Sequence, residues 1–556
     1  MPKKQETKLV KESFFRKWAP VFVLSLALAI ILIDATLLNV SLATLVKDLN
    51  TDIQSLQWVI TAYTLTIAAL TITGGRLGDL FGRKRMFIAG ATLFAVGSFI
   101  ASISNNVSTM IWGESIIEGI GAAMMMPATA SLLVSKYRGR DRAIAFGIWG
   151  GVAAAATAIG PLLGGFLTTY YSWRWGFRIN VVVAAILILG SFIIKEYREA
   201  NAKPKLDFVG VILSSLGMLS LVYGIIEAST YGWWKAKIIY TAFGQNYDLW
   251  GYSITPFAIG LGLIVITLFL LWERRMERLD RTPLVSLHLF SNKQFISSVA
   301  TTAIFALGQA GLIFSIPVFL QAVRGASAFE TGLAMVPMSI TALIIAPLGG
   351  FLSHKIPPKR LVQIGLIAFV IGYIIAYFTL NVNTAAQDLI LPFIVIGFGM
   401  GTMMASISNI TLSAVSTEQA GEASGVNNTM RQVGATLGTA IIGAVMLTAI
   451  STNLANGVNS SNVIPSAFKQ TVNQTIDQQT SNVEFGGGAH IPKTVPAVIR
   501  SEITVISHKA ITDANREALS YAIWFGVVGI ISTIWLPSGT NVDFEENLIT
   551  NKKAKK

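Results

Sequence analysis

Stretches of about twenty mostly apolar residues recur along the whole chain, and that recurrence leaves few folds open. Fourteen can be counted, near residues 18–41, 55–75, 86–105, 109–134, 142–168, 175–194, 207–228, 254–272, 294–320, 330–352, 361–380, 387–413, 422–449 and 519–537. Each is long enough for a helix to cross a hydrocarbon layer of about 30 Å. There the backbone N–H and C=O groups must bond within their own segment, as a helix allows. A barrel would show segments of about ten residues with alternating polarity. The expected fold is an all-α polytopic membrane protein with 14 transmembrane helices. Composition agrees: 13% of residues are charged and 53% are hydrophobic, with a mean hydropathy of +0.61. Soluble domains carry about 25% charged residues.

Charge gives orientation. With the N-terminus inside, the loops and tails on that side hold 30 of the 42 Lys and Arg residues. The short outer loops hold six: Lys47, Arg174, Arg178, Lys235, Lys237 and Arg324. Positive residues collect on the cytoplasmic side, so both termini are expected there, in a multi-pass protein of the cell (plasma) membrane. The same rule accounts for the net charge of +13 without a nucleic-acid partner. The apolar run after the basic segment Met1–Lys17 is too long for a signal-peptide core and reads as an uncleaved first span. The chain has no cysteine, which removes disulfides, thiolate nucleophiles and Cys-based metal sites.

Two charged segments, 195–207 and 273–293, bracket spans seven and eight; the second is a candidate for an interfacial amphipathic helix. They suggest a tail (1–17), a six-helix bundle (18–194), linkers with two extra spans (195–293), a second six-helix bundle (294–537) and a tail (538–556). The second bundle includes a long outer loop, 450–518. That loop has helix-like patterning at Phe468–Gln479 and Ala497–Ala518, separated by Gly486–Gly488, and reads equally as a lid or a spacer. The halves echo one another: GGRLGDLFGRKRMF after span two has a weak partner in GGFLSHKIPPKRLV after span ten. GIGAAMMMP of span four likewise has one in GFGMGTMMA of span twelve. Such similarity fits a transporter that rocks two bundles about a midplane site.

Particular residues resemble a known family. Gly74–Arg85 (GGRLGDLFGRKR) is similar to the signature between spans two and three of the major facilitator superfamily, and Ile159–Gly165 (IGPLLGG) to its antiporter motif on span five. Leu32–Leu42 (LIDATLLNVSL) resembles the first-span signature of the fourteen-span drug:proton antiporter branch. Gln57–Leu65, Tyr171–Asn180, Phe319–Pro337 and Gly421–Gly438 continue the match in order. The resemblance implies the major facilitator fold, two six-helix bundles plus two additional central spans. It also implies multidrug efflux by alternating access and a monomer.

The motifs carry physical readings of their own. Gly75, Gly78 and Gly82 permit close approach and a bend; Asp79 can accept hydrogen bonds from a neighbouring helix end; Arg83 and Lys84 can grip carboxylates or lipid phosphates. The resemblance makes this turn a cytoplasmic latch that breaks during transport. The alternative is a basic turn that only fixes topology. In span five, Gly160, Pro161, Gly164 and Gly165 form a small-residue packing face with a kink; the antiporter role is implied by the resemblance alone. Ala156 stands where the family often has another Gly.

Charges inside the spans carry the most chemistry. A carboxylate near the bilayer centre must be paired, neutralised or hydrated. Asp34 lies midway along span one, and Glu114 and Glu118 share one face of span four. Glu114 and Glu118, paired in a low-dielectric cavity, repel one another, and a pair holding one proton is cheaper than one fully ionised. Asp34, Glu114 and Glu118 are therefore the candidates for proton coupling and for holding a substrate cation; a structural acid satisfied by Ser, Thr or backbone is the alternative for each. The family pattern has Arg where this chain has Ser115, and Gln where it has Glu118. That departure puts the usual coupling arrangement in question and keeps sodium open as coupling ion.

Arg431 is the candidate charge partner, with snorkelling to the interface as its alternative. Trp58, Tyr63, Trp149, Gln309, Gln321 and Asn409 are candidate cavity-lining groups, the aromatics as cation–π walls. The methionines Met124–Met126 and Met403–Met404 offer adaptable surface.

The expected function is secondary active multidrug efflux, exporting hydrophobic, cationic compounds in exchange for protons and conferring drug resistance. The alternative is a lipid or metabolite exporter or flippase of the same fold. The chain carries no phosphate-loop motif for an ATP-driven pump. Nor does it show a zinc motif or catalytic triad; His288, His354, His490 and His508 lie away from the midplane acids. An enzyme is not expected, and neither is a bound metal or cofactor. The expected partners are small hydrophobic or cationic molecules and the lipid bilayer.

Overall fold

The computed structural model describes residues 14–51, 53–196, 206–242, 245–279, 281–353, 355–416, 419–466, 469 and 496–536. The expected tails 1–17 and 538–556 lie outside these residues, apart from Phe14–Lys17, which begin the first helix. So do most of the 195–207 linker, His354 and His490. Among the described residues thirteen helices are long and apolar enough to cross a membrane, and a bent pair taken as one span makes a fourteenth.

In chain order the helices are α1 (Phe14–Asp48), α2 (Ile53–Phe81), α3 (Arg83–Ser102), α4 (Val107–Lys136), α5 (Gly139–Tyr170), α6 (Arg174–Gly190), α7 (Phe208–Tyr231), α8 (Ile254–Arg278), α9 (Lys293–Ala322), α10 (Ala328–Leu352), α11 (Pro358–Thr379), α12 (Ile390–Ser413), α13 (Ala420–Ser460) and α14 (Ala497–Ser532). Their starts follow local chemistry. Asn106 accepts from the Thr109 N–H at the head of α4, Asn292 from Gln294 N–H at α9, and Ser327 and Glu330 form a capping box at α10. In α5 the axis bends by 41° between Thr157 and Ile159. Pro161 has no N–H to give the Thr157 carbonyl, which accounts for the break at that turn.

Helices α1 to α6 pack as one group around Phe87, Phe94, Phe146 and Trp149. Helices α9 to α14 form a second group around Phe305, Phe319, Phe369 and Tyr373. The groups meet along α5 against α10 and α12, and along α2 against α13. The extra hairpin α7–α8 leans on α2 and α13 from outside. Burial marks it as peripheral: 33% of the most apolar window of α7 and 22% of that of α8 are buried, against 78% for α4.

Three details differ from expectation. Helix α13 continues past residue 449 to Ser460, and α14 already begins at Ala497. The patterned stretch Ala497–Ala518 is thus the first half of the last spanning helix rather than a separate hairpin arm. Leu454 and Val458 pack there against Ile499 and Ile503, burying apolar faces that a free loop would expose. Phe468–Gln479 and Gly486–Gly488 lie outside the described residues, Lys469 excepted. Among its described residues the segment 273–293 forms no long amphipathic helix: its start is the end of α8, a short 3-10 helix (Leu287–Ser291) follows, and Leu284, Val285 and Leu289 are buried. Finally, the α7–α8 loop carries a small antiparallel hairpin, β1 (Tyr240–Ala242) with β2 (Gln245–Tyr247).

Candidate functional site

The three acids come together. Helix α4 contains a π-helical stretch, Ile111–Glu118, whose wider turn keeps Glu114 and Glu118 on one face. Both are buried, as is Asp34 on α1. The Asn180 amide on α6 lies between them: its Nδ2 donates to Asp34 Oδ1 at 2.6 Å and to Glu118 Oε1 at 3.2 Å. A side-chain amide has two N–H donors, so this one is fully used. Asp34 and Glu118 also lie within interaction distance of each other, with Ser98 beside Glu118. Asp34 Oδ2, Glu114 Oε2, Glu118 Oε2 and the Tyr63 hydroxyl have no hydrogen-bond partner among the described residues. Three carboxyl groups therefore meet in a buried space in which the Asn180 amide donates to two of them, while the Ser98 and Tyr63 hydroxyls form no hydrogen bond among the described residues. Such a cluster can bind and release protons, because it has more acceptor atoms than donors.

Helix α5 fixes α1 beside this cluster. A Cβ on Gly160 would collide with the Thr36 hydroxyl and sit 2.9 Å from the Ile33 carbonyl, and one on Gly164 would sit 2.9 Å from the Leu37 carbonyl. The small residues of the span-five motif thus seat α5 directly against the turns that flank Asp34. Ser115, where the family has Arg, donates to the Val59 carbonyl of α2 at 2.7 Å and is fully buried. The hydroxyl serves helix packing and brings no positive charge to the acids.

Between the two helix groups lies a pocket lined by Leu28, Trp149, Thr302, Phe305, Gln309, Met403, Met404, Ser408, Asn427, Asn428 and Arg431. Of the expected lining residues it contains Trp149 and Gln309. Trp149 donates to Thr129, and Gln309 reaches the Met400 sulfur at 3.9 Å. The others are placed elsewhere. Trp58 stacks on Tyr223, Tyr63 belongs to the acid cluster, Gln321 lies at the end of α9, and Asn409 accepts from Arg142 Nε at 3.1 Å, tying α12 to α5. Arg431 lines the pocket with its guanidinium 3.6 Å from the Met126 sulfur, and among the described residues it forms no ion pair with the acids.

The turn between α2 and α3 forms a second site. Gly82, at φ +111°, takes a conformation that a side chain would strain. This brings Arg83 back over Asp79, with Nε at 3.0 Å and Nη2 at 2.8 Å from Oδ1; Nη1 reaches the Ser131 carbonyl. Asp79 Oδ2 accepts the backbone N–H of Glu422 at 3.0 Å, at the start of α13, where a helix N-terminus favours negative charge. Gly75 and Gly421 touch there with no room for a Cβ on Gly75. Glu422 lies 4.0 Å from Arg76 and accepts the Ser286 N–H. Lys84 donates its backbone N–H to Glu196, which Arg85 also approaches.

Sequence reasoning passed over Asn180, Ser98, Glu227 and the acids Glu273, Glu277 and Glu422. Asn180 and Glu227 carry the signal that singled out Asp34, a polar group inside an apolar run. Nothing local marks the partners of the other acids.

Two six-helix groups around a polar midplane, closed at one end by a carboxylate on a neighbouring helix terminus, define a multi-pass membrane transporter. The chain belongs to the Major Facilitator Superfamily, whose model matches residues 24–439. It is 27% identical over 530 residues to the multidrug resistance protein Stp of Mycobacterium tuberculosis, covering 94% of both chains. It is 29% identical over 440 residues to the probable actinorhodin transporter of Streptomyces coelicolor, covering 78% of this chain and 73% of that one. Among solved structures it resembles the proton:xylose symporter XylE, at a TM-score of 0.56 and 10% identity, covering 95% of this chain and 98% of that one. That likeness concerns the fold.

Proposed function

We propose that this protein is a secondary multidrug exporter that exchanges hydrophobic, cationic compounds for protons by alternating access. The observation that carries the reading is the sharing of one Asn180 amide by Asp34 and Glu118, with Glu114 beside them and an oxygen of each acid unpartnered. In this reading the cluster takes a proton when the site faces outward and gives it up when it faces inward. The pocket beside Trp149, Gln309 and Arg431 holds the compound. The latch at Asp79 and Glu422 closes the inner face. The names of the Stp and actinorhodin relatives support export of drug-like compounds. The distribution of Lys and Arg supports a plasma-membrane protein with both termini in the cytoplasm. In this reading it works as a monomer without a cofactor. The proton gradient drives exchange.

The test uses inside-out vesicles carrying a proton gradient and a fluorescent proton reporter, with lipophilic cations added one at a time. Wild-type protein should release protons on addition of a substrate, and Glu118→Gln should weaken that release at least tenfold. Release that depends on sodium instead of protons, or no release with any cation, overturns the reading.

A further inference from the structure

Helix α7 carries a buried acid that neither the coupling cluster nor the latch uses. Glu227 is 7% exposed. Among the described residues it forms no hydrogen bond or ion pair, and the exposed Lys235 and Lys237 of the following loop do not pair with it. A carboxylate in that position is costly unless something of opposite charge, or a proton, joins it.

Its neighbours are aromatic. Tyr223 and Tyr231 lie one turn before and one turn after it, on the same face of α7. Tyr240 of β1 closes over them. Its hydroxyl is 3.3 Å from that of Tyr223, and its ring meets that of Tyr231 edge-on at 5.4 Å. On the other side Trp58 of α2, 36% exposed, stacks on Tyr223 at 5.7 Å. The buried acid and these four rings thus gather on one side of α7, beside α2 and the β-hairpin.

We propose that Glu227 with Trp58, Tyr223, Tyr231 and Tyr240 forms a second binding site, for a quaternary ammonium or similar organic cation. Aromatic faces attract such cations and replace their weak hydration, while the buried carboxylate supplies the counter-charge. The site lies on the α7 flank, at the end of the molecule where α2 begins, remote in sequence and in packing from the latch. It stands on its own observations, independent of the coupling ion and of the direction of transport. Small inorganic cations, which hold their water strongly, are poorly suited to it.

Equilibrium binding of benzyltrimethylammonium to purified full-length protein in nanodiscs tests this, with benzyl alcohol as the uncharged control. The wild type should bind the cation and not the alcohol. Glu227→Gln should weaken binding at least tenfold, and Tyr240→Leu, a change in the hairpin rather than a spanning helix, about threefold or more. Ile238→Ser, an exposed change in the same loop, should retain binding. Size-exclusion profile and melting temperature identify folded variants, and Tyr240→Leu keeps the test decisive should Glu227→Gln misfold. Three results would overturn the proposal: no binding by wild type, equal binding of cation and alcohol, or binding untouched by Glu227→Gln and Tyr240→Leu. The first of these is the outcome expected if a proton alone occupies the carboxyl.

Discussion

Asp79 Oδ2 lies 3.0 Å from the backbone nitrogen of Glu422, joining the last turn of α2 to the first turn of α13 across 343 residues of chain. The other Asp79 oxygen is held by Arg83 across the Gly82 turn. Glu422 in turn holds Arg76 and the Ser286 N–H. One carboxylate thus secures a helix terminus, and a second ties that terminus to the segment after α8.

Asp79→Asn should loosen this junction, because it removes the charge that faces both Arg83 and the α13 terminus. Breaking a buried pair by changing one partner costs about 3–5 kcal/mol. The chain has no native cysteine, so a single Cys placed at the buried Ser424 reports opening without background. A maleimide should label it several-fold faster in Asp79→Asn than in the parent. Equal rates would remove Asp79 from the closure.

The segment after α8 should act on the same junction. Three consecutive N–H groups bond carboxylates: Val285 to Glu273 at 3.2 Å, Ser286 to Glu422, and Leu287 to Glu277 at 2.6 Å. Ser286 has φ −69°, which proline shares. Ser286→Pro therefore removes the N–H with little backbone strain at that residue. It should speed labelling of the Ser424 cysteine, though less than Asp79→Asn does.

Gly160→Ala should disable transport while leaving insertion intact, since the added methyl strikes Thr36 beside Asp34. The remedy lies in the same contact. Thr36→Ala in the Gly160→Ala background should restore part of the lost export rate, measured in the vesicle assay. Failure of any rescue would point to the Ile33 carbonyl as the contact that matters.

Arg142 and Asn409 join α5 to α12 through a buried hydrogen bond. Hydrogen bonds to charged groups contribute about 1.5–3 kcal/mol. A thermal-unfolding cycle with Arg142→Gln, Asn409→Ala and the double variant should show non-additivity of that order. Strict additivity would mean that the two residues act separately.

Much of the architecture was legible in the sequence because a bilayer imposes a simple demand: an apolar segment of the right length must satisfy its own backbone. The fourteen apolar runs correspond to thirteen long apolar helices and one bent pair among the described residues. The boundaries of α13 and α14 were missed where the helices leave the apolar zone. There, packing of Leu454 and Val458 on Ile499 and Ile503 sustains polar sequence as helix. Asp34, Glu114 and Glu118 stood out because each interrupts an apolar run.

Their arrangement did not. Asn180 reaches Asp34 from 146 residues away and Glu118 from 62, and only the packing of α6 against α1 and α3 brings it between them. Asn409 read as a cavity group until the α5–α12 contact gave it to Arg142. Glu227 was passed over, and the gathering of Tyr223, Tyr231 and Tyr240 on its side of α7 depends on the β-hairpin folding back. The sequence by itself determined the spans, their number and the acids among them, because hydropathy and helix length are local properties. Which acids meet, which amide they share and which carboxylate closes the junction were decided by the tertiary structure, because those depend on which helix faces pack together.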